Sequence, residues 1–131
     1  MMLVKKLFPP NYAAIKAAFN PPLNVVFTYG NIIYAPYIDF DLPHDLIVHE
    51  TVHKDQQKDN PELWWDKYIL DPSWRFHQEL QAYRAQYKAY LQNHNREEAF
   101  KFLLAIASDL SGPIYGNLRE VNQCMRLIKN R

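Results

Sequence analysis

The chain has 131 residues, of which 48% are hydrophobic and 15% aromatic, so it fits a single domain over residues 1–131 with a hydrophobic core, and a disordered composition is excluded. Its 15 basic and 14 acidic residues leave a net charge of +1, which gives no electrostatic footprint for nucleic acid or an anionic membrane. No apolar stretch approaches the roughly 20 residues that span a bilayer, and no secretory signal follows Lys5 and Lys6. We therefore expect a cytoplasmic protein, or one assembled into a larger complex, without a membrane partner.

The first predicted element is a helix over residues 11–19. Its larger apolar side chains recur at spacings of three and four, which is the period of one helix face, and they are Tyr12, Ile15 and Phe19. The segment Asn20-Pro21-Pro22 ends this helix, because proline removes a backbone donor and clashes with the preceding turn.

A β-hairpin is predicted next. Residues 23–29 and 32–34 are rich in β-branched and aromatic side chains, and Gly30-Asn31 separates the two runs. Glycine and asparagine tolerate the positive φ that a two-residue hairpin turn requires, and Gly30 is the residue expected to adopt it. Pro36 ends the second strand.

The rest of the chain predicts five helices. The first begins at about Asp41–Asp45, with Asp41 or Asp45 as its N-cap, and ends near Lys58. A short helix is predicted over 62–68, a long one from Asp71-Pro72 to about Leu91, and two more over roughly 97–110 and 115–128. Cys124, the single cysteine, cannot form an intrachain disulfide and is interpreted as a small core residue of the last helix. The expected fold is mainly α (α+β).

The first of these five helices carries His49-Glu50-Thr51-Val52-His53. Residues four apart lie on one helix face, so both imidazoles project together and Glu50 lies one step round. This H-E-x-x-H spacing is typical of zinc metalloproteases, in which the ion lowers the pKa of a bound water to about 7 and the glutamate takes its proton. Buried histidines are costly unless they are paired or bind a metal. We expect this helix to be buried by its apolar residues, which are Leu46, Ile47, Val48 and Val52.

A catalytic zinc needs a third protein ligand. Position 59 is Asp59, so the third histidine of the metzincin pattern is absent. Downstream candidates are Asp71, His77, Glu79 and His94. Glu79 is favoured, because its helix can fold back against the first and the small Ala82 permits close approach. The alternative interpretation of Glu79 is an exposed helix partner of Arg75, four residues earlier.

Several further side chains are candidates for the same site. Tyr115 follows Gly112-Pro113 and could donate a hydrogen bond to a tetrahedral oxyanion, although a packing role is the simpler interpretation. Tyr83 could serve in the same way or pack between helices. Gln56 and Gln57 could orient the ligands or lie on the helix surface. A hydrophobic wall beside the metal, or ordinary core, is expected from Trp64, Trp65, Tyr68 and Trp74.

Three groups of residues together resemble the small gluzincin-type peptidases, many of which are encoded by phages or occur as domains of bacterial proteins. They are His49-Glu50-x-x-His53 with Gln56-Gln57, Trp64-Trp65-x-x-Tyr68, and Arg75-x-x-x-Glu79-Leu80-x-Ala82-Tyr83-Arg84. The resemblance covers residues 43–86 and, more weakly, 111–116. It implies a helical zincin-like domain with one small hairpin before the motif helix, and Glu79 as the third ligand.

Two functions follow as expectations. The first is a zinc-dependent peptide-bond hydrolase acting on a peptide or protein substrate, with Zn²⁺ held by His49, His53 and Glu79, Glu50 as general base and Tyr115 as oxyanion donor. The alternative is a non-catalytic zinc-binding structural or assembly protein, such as a virion component of a phage. Cleavage of peptidoglycan cross-links is a third, weaker hypothesis. An intact Glu50 favours hydrolysis, since a structural zinc is usually closed by four ligands and needs no base.

Overall fold

A computed structural model describes residues 2–130, and their secondary structure is mainly helical with one small sheet, which confirms the predicted fold class. The elements in chain order are β1 (Leu3–Lys5), α1 (Tyr12–Phe19), β2 (Phe27–Tyr29), β3 (Ile32–Tyr34), α2 (His44–Gln57), α3 (Pro61–Leu70), α4 (Pro72–Leu91), α5 (Arg96–Leu110), a 3₁₀ helix (Pro113–Tyr115) and α6 (Val121–Asn130). No helix within residues 2–130 has the length and hydrophobicity needed to cross a membrane.

The sheet contains the predicted hairpin and one strand that the sequence did not predict. β2 and β3 pair antiparallel around Gly30, whose φ of 64° is the positive value expected for this turn. β1 pairs with β3 in parallel, so the strand order is β1-β3-β2 and β3 is central. The strand predicted over 23–29 begins only at Phe27, because residues 21–26 form a turn and irregular backbone after the two prolines.

The start of α2 and the end of the chain correct two predictions. Pro43 is the N-cap of α2 and no side chain caps it, so neither Asp41 nor Asp45 has the expected role. The last helix was predicted from Tyr115, but the 3₁₀ helix ends there and α6 begins at Val121. The cause is two consecutive residues with left-handed backbone, Gly116 at φ 80° and Asn117 at φ 50°, which an α-helix cannot contain.

Helices α3, α4 and α5 begin where the sequence indicates. Asn60 caps α3 and Asp71 caps α4, each accepting a hydrogen bond from a backbone N–H three residues on, with proline at the first helical position. Asn95 and Glu98 form a reciprocal capping box at the start of α5. These local signals fix the start of α4, which at 20 residues is the longest helix within residues 2–130.

Two hydrophobic clusters flank the motif helix. One is formed by α4, α5, the 3₁₀ helix and α6, and includes Phe76, Leu103 and Leu110. The buried Cys124 belongs to it, which confirms its predicted core position. The other packs α1 and the hairpin against α3 through Ile15, Phe27 and the aromatic residues Tyr34, Trp64, Trp65 and Tyr68.

The helix α2 lies between these clusters and buries a polar face. Its buried side chains are His49, Glu50, His53 and Gln57. The apolar residues expected to bury this helix are only half-buried, so that expectation was wrong; they are Leu46, Ile47, Val48 and Val52. A polar helix face against α4 is stable only if every group on it finds a partner. The hydrogen-bond partners of these four side chains therefore determine what chemistry the interface between α2 and α4 can support.

Candidate metal centre

Helices α2 and α4 bring three metal-ligating side chains together. His49 Nε2 and His53 Nε2 lie 3.0 and 3.1 Å from the same Glu79 oxygen, Oε1. All three residues are buried, and one ligand atom from each lies within 4.8 Å of the others, so the group can hold a metal ion. The geometry joins Glu79 to the two motif histidines, as the sequence analysis favoured.

The other candidates for the third ligand lie elsewhere. Asp71 is exposed and caps α4, and its Oδ1 accepts from the Trp74 backbone. The rings of His77 and His94 are exposed, and each contacts the backbone carbonyl four residues earlier. The alternative pairing of Glu79 with Arg75 is wrong, because the Arg75 guanidinium bonds to backbone carbonyls and Glu79 is buried.

The spacing of the donor atoms is similar to that around a small metal ion. Donors placed about 2.0–2.2 Å from a metal in tetrahedral geometry stand about 3.3–3.6 Å apart from one another. The two nitrogen–oxygen separations of 3.0 and 3.1 Å are slightly shorter, and the ligand atoms of all three residues lie within 4.8 Å of one another, so the side chains would move apart to admit an ion. The donors are thus already assembled.

The Nδ1 atom of each histidine has its own hydrogen-bond partner, and these partners determine which ring nitrogen faces the centre. Gln86 Nε2 donates to the Asp45 carboxylate, which can only accept, so Gln86 Oε1 must be the atom 2.8 Å from His49 Nδ1. Likewise Gln56 Nε2 donates to the Gln78 carbonyl, which leaves Gln56 Oε1 facing His53 Nδ1 at 2.8 Å.

Since an amide oxygen accepts hydrogen bonds, both Nδ1 atoms must carry the proton that they donate. The Nε2 atom of each neutral ring therefore presents a lone pair to the centre, as a metal ligand must. Two such lone pairs directed at one carboxylate oxygen repel each other and that oxygen, unless a proton or a metal ion lies between them. This donor pattern distinguishes the site from an ordinary buried polar cluster.

In the metal-free state, the pKa shifts of His53 and Glu79 also indicate that an added positive charge stabilises the centre. Burial by itself would lower the pKa of His53, but the negative charge and hydrogen bond of Glu79, helped by Glu50 and Gln56, raise it to about 9. Burial would raise the pKa of Glu79, whereas His53 and His49 hold it well below its usual range. Without metal, a proton on His53 takes the place of the cation.

The second oxygen of Glu79 is also fixed. Tyr68, on α3, donates its hydroxyl to Glu79 Oε2 over 2.6 Å. Oε1 is left for the two histidines, so the carboxylate can bind an ion through one oxygen. Trp64 stacks on the Tyr68 ring at a centroid distance of 4.8 Å and contacts the His53 ring at 5.2 Å. These two aromatic residues hold the ligand face in place.

Glu50 lies at the edge of the same centre. Its Oε1 accepts a 2.8 Å hydrogen bond from the Thr28 hydroxyl on β2, while Oε2 lies 3.8 Å from His49 Nε2. Gln57 aligns this strand with α2, because it accepts from Gly30 N and donates to the Thr28 carbonyl, both over 2.8 Å. Only one oxygen of Glu50 is bonded in this way, and the other points towards the metal position.

Two tyrosines from the C-terminal half reach the site. Tyr83 packs edge-on against the His49 ring, but its hydroxyl donates to Asp109 over 2.6 Å and is directed away from the metal position. Tyr115, at the end of the 3₁₀ helix, is buried beside Tyr68 and lines the same cavity as the three ligands. Burial, together with the negative charges of Glu79 and Asp109, raises the pKa of Tyr115 well above its usual value, so it remains a proton donor.

The centre opens into a cavity of about 500 Å³. Trp64, Trp65 and Tyr68 line it, as the predicted hydrophobic wall requires, whereas Trp74 lies behind Trp64. Apolar residues form the opposite walls, and they are Phe19, Val25, Val26, Leu46, Ile106 and Ile114. Within residues 2–130, neither lysine nor arginine lines this cavity.

Three supporting residues were missed by the sequence analysis. Gln86 lies seven residues after Glu79, two turns along the same face of α4, and that spacing was a usable signal. Asp45 and Thr28 had no comparable signal, since Asp45 contacts Gln86 across 41 positions and Thr28 contacts Glu50 across 22. Such distant pairs become visible only when the helices and the hairpin are packed.

Comparison with protein-family models, curated proteins and solved structures found no match to this chain. The donor set itself therefore defines the chemistry available here: two imidazoles, one monodentate carboxylate, a second carboxylate alongside and a buried phenol. Such a set can hold an ion on one side and leave its other side facing the cavity.

Proposed function

We propose that this protein is a zinc-dependent peptide-bond hydrolase, with His49, His53 and Glu79 as the metal ligands and Glu50 as the general base. The observation that carries this proposal is the pair of buried Nε2 atoms that converge on Glu79 Oε1 at 3.0 and 3.1 Å, with an additional carboxylate, Glu50, 3.8 Å from His49 Nε2. A purely structural ion would have no use for that fourth side chain in its present position.

Zinc is the ion that we propose for these donors. Two imidazoles and one carboxylate, in a compact arrangement with one open side, match the three-ligand sites of catalytic zinc. Magnesium and calcium prefer sets made of oxygen atoms, and copper(I) prefers thiolates and thioethers. The glutamines on the outer imidazole nitrogens support the same assignment, because such partners fix the tautomer and raise ligand basicity.

Zinc, when bound, would supply a Lewis acid that polarises a substrate carbonyl and acidifies water. The chain supplies the proton transfers. Glu50 Oε2 is free to accept a proton from the attacking water, while Thr28 holds Oε1 and keeps the carboxylate oriented. The same carboxyl group can then pass the proton to the departing amine.

Tyr115 would stabilise the negative oxygen that develops during attack. Its hydroxyl keeps its proton at neutral pH, and it lines the cavity with the ligands. A preorganised phenol in a site shielded from water is worth more to a developing oxyanion than the same group in solution. Tyr68 cannot take this role, because its hydroxyl is bonded to Glu79.

The cavity favours a peptide as substrate. Its volume of about 500 Å³ is within the roughly 300–1,000 Å³ of sites that enclose small ligands or a few residues of a chain. Its walls are mainly apolar and aromatic, and among residues 2–130 no lysine or arginine lies there to bind a terminal carboxylate. Cleavage within a peptide is therefore a better fit than removal of a C-terminal residue.

The test is Glu50→Gln, which keeps the size of the side chain and can still accept from Thr28. The variant should fold and bind one zinc like the wild type, while hydrolysis of a broad peptide library should fall by about 10²–10⁴-fold. Glu120→Gln, at an exposed glutamate, is the matched control.

Metal content is measured on protein purified without added zinc, together with His53→Ala, which should lose the ion. Equal cleavage by wild type and Glu50→Gln above a chelated blank would disprove the mechanism. Stoichiometric zinc with no cleavage by the wild type would favour the non-catalytic structural or assembly role instead.

A further inference from the structure

Arg75 is a buried charged residue that the chemistry above does not use. It lies one helical turn before Glu79 on α4 and is 5% exposed. Within residues 2–130, no carboxylate lies within ion-pair distance of it. A buried charge without a counter-ion is costly, so its remaining contacts must offset that cost.

Those contacts are backbone carbonyls and aromatic rings. The Arg75 Nε atom donates to the Ile114 carbonyl over 2.7 Å, and Nη1 donates to the carbonyls of Tyr68 and Ile69 over 2.7 and 3.2 Å. The guanidinium also lies over the ring of Phe19, 4.8 Å from its centroid. One side chain thus ties the end of α3 and the 3₁₀ helix to α4.

The two segments that Arg75 holds are those that carry the phenols of the site. Tyr68 is itself an acceptor of Arg75, and Ile114 is the residue immediately before Tyr115. The 3₁₀ helix is otherwise fixed by short-range bonds, such as Tyr115 N to the Gly112 carbonyl, and by packing. The Arg75–Ile114 hydrogen bond joins it to the helix that carries Glu79.

We propose that Arg75 is a positioning residue that sets where the Tyr115 hydroxyl stands relative to the metal ligands. This proposal rests on the hydrolase function proposed above. Arg75 does not line the cavity and touches no reacting atom, so it acts through Tyr115. Arginine suits the task because its planar, rigid group directs several donors along different lines, whereas lysine concentrates its donors on one flexible atom.

The experiment compares Arg75→Lys with Arg84→Lys in the full-length zinc-loaded protein. Arg84 lies on the same helix and donates its Nε to the Leu127 carbonyl over 2.8 Å, but it holds α6 and not the 3₁₀ helix. Hydrogen exchange at the Tyr115 and Gly116 amides should quicken by about tenfold or more in Arg75→Lys and stay unchanged in Arg84→Lys. Zinc content should be one per chain in both variants.

Kinetics separate positioning from simple stability. In Arg75→Lys, kcat should fall by up to about 10²-fold with little change in KM, as for a catalytic group displaced by about 1 Å. In a Tyr115→Phe background, the same substitution should cost nothing further, because its effect passes through the phenol. Full additivity of the two losses, or unchanged kcat in Arg75→Lys, would overturn the proposal.

Hydrogen exchange tests whether Arg75 holds the 3₁₀ helix in place even if the wild type cleaves no peptide. Failure of the hydrolase proposal can therefore be distinguished from failure of the positioning proposal. Unchanged exchange at Tyr115 in Arg75→Lys would overturn the positioning role whatever the activity. If Arg75→Lys does not fold, Arg75→Gln is tested in the same way. Loss of the fold in both variants would assign Arg75 to general stability and overturn the proposal.

Discussion

Zinc binding should displace one proton, and the proton should come from His53. In metal-free protein the pKa of His53 is raised to about 9, so at pH 7 about 99% of the molecules carry the extra proton on this ring. Glu79 is already ionised at that pH, because its pKa is well below its usual range. Zinc can bind His53 Nε2 only after that proton leaves.

The size of the pH effect on zinc affinity follows from the pKa of His53. Between pH 7 and pH 9 the apparent zinc affinity should rise about tenfold per pH unit, or about 100-fold in total, and then level off. Calorimetry at pH 7 in buffers of different ionisation enthalpy should report about one proton released for each zinc bound. Chelator-buffered zinc keeps the free ion known at the higher pH values.

The stability of the metal-free and zinc-loaded states should respond differently to pH. The folded-state pKa of His53 is raised from 6.5 to about 9, so the protonated ring contributes stability below pH 6.5 and loses it as the pH rises through 9. The shift corresponds to about 3 kcal/mol. Metal-free protein should therefore become less stable over this range, while the stability of zinc-loaded protein at fixed, saturating free zinc should stay nearly constant, because the rising zinc affinity offsets the stability lost with the proton.

His77→Gln is the matched control for this titration, because His77 is exposed and lies on the same helix as Glu79. Its proton release and affinity profile should equal those of the wild type. A release close to zero at pH 7, or a zinc affinity that is flat between pH 7 and pH 9, would refute the account. His53 would then be neutral in the metal-free site, which would mean that its burial outweighs the negative charge of Glu79.

Two further substitutions test the supporting structure. Gln86→Leu removes the acceptor of His49 Nδ1 and should weaken zinc binding by about 10–100-fold, measured by chelator competition. The control Gln92→Leu, at the exposed end of α4, should leave zinc affinity unchanged. Equal affinities for Gln86→Leu and the wild type would refute the orienting role of Gln86. Gly116→Ala places a methyl group 3.1 Å from the Pro72 side chain at a φ of 80°, so thermal unfolding should show that the free energy of unfolding falls by about 1–2 kcal/mol. The control Ser108→Ala, on exposed helix surface, should be nearly neutral. An unchanged Tm for Gly116→Ala would show that the 3₁₀ helix is not held against α4 at this point.

The sequence predicted most of the helices and the grouping of His49, His53 and Glu79 because these depend on local spacing. His49 and His53 are four apart on one helix, and the caps at Asp71 and Asn95 are short-range signals. Glu79 could be chosen because a chain reversal after Asp71-Pro72 brings the next helix back. The prediction failed where distant segments decide the outcome.

β1 illustrates this limit, since its three residues are exposed and form a strand only because β3 offers a free edge. The burial of α2 is the more instructive error. Apolar side chains normally mark the buried face of a helix, yet here half-buried apolar residues border a buried polar one. The free energy of binding a metal, which no hydrophobicity pattern includes, can stabilise a face of that kind.

The buried polar face of α2 means that the proposed ion acts as part of the core. Removing it leaves two imidazoles and a carboxylate in a space where other proteins place leucines, and substitutions that repair packing there would remove the ligands. Folding and chemistry would then depend on the same few atoms, and zinc supply would control how much folded protein exists. A screen of ions by their effect on Tm could therefore identify the metal before any substrate is known.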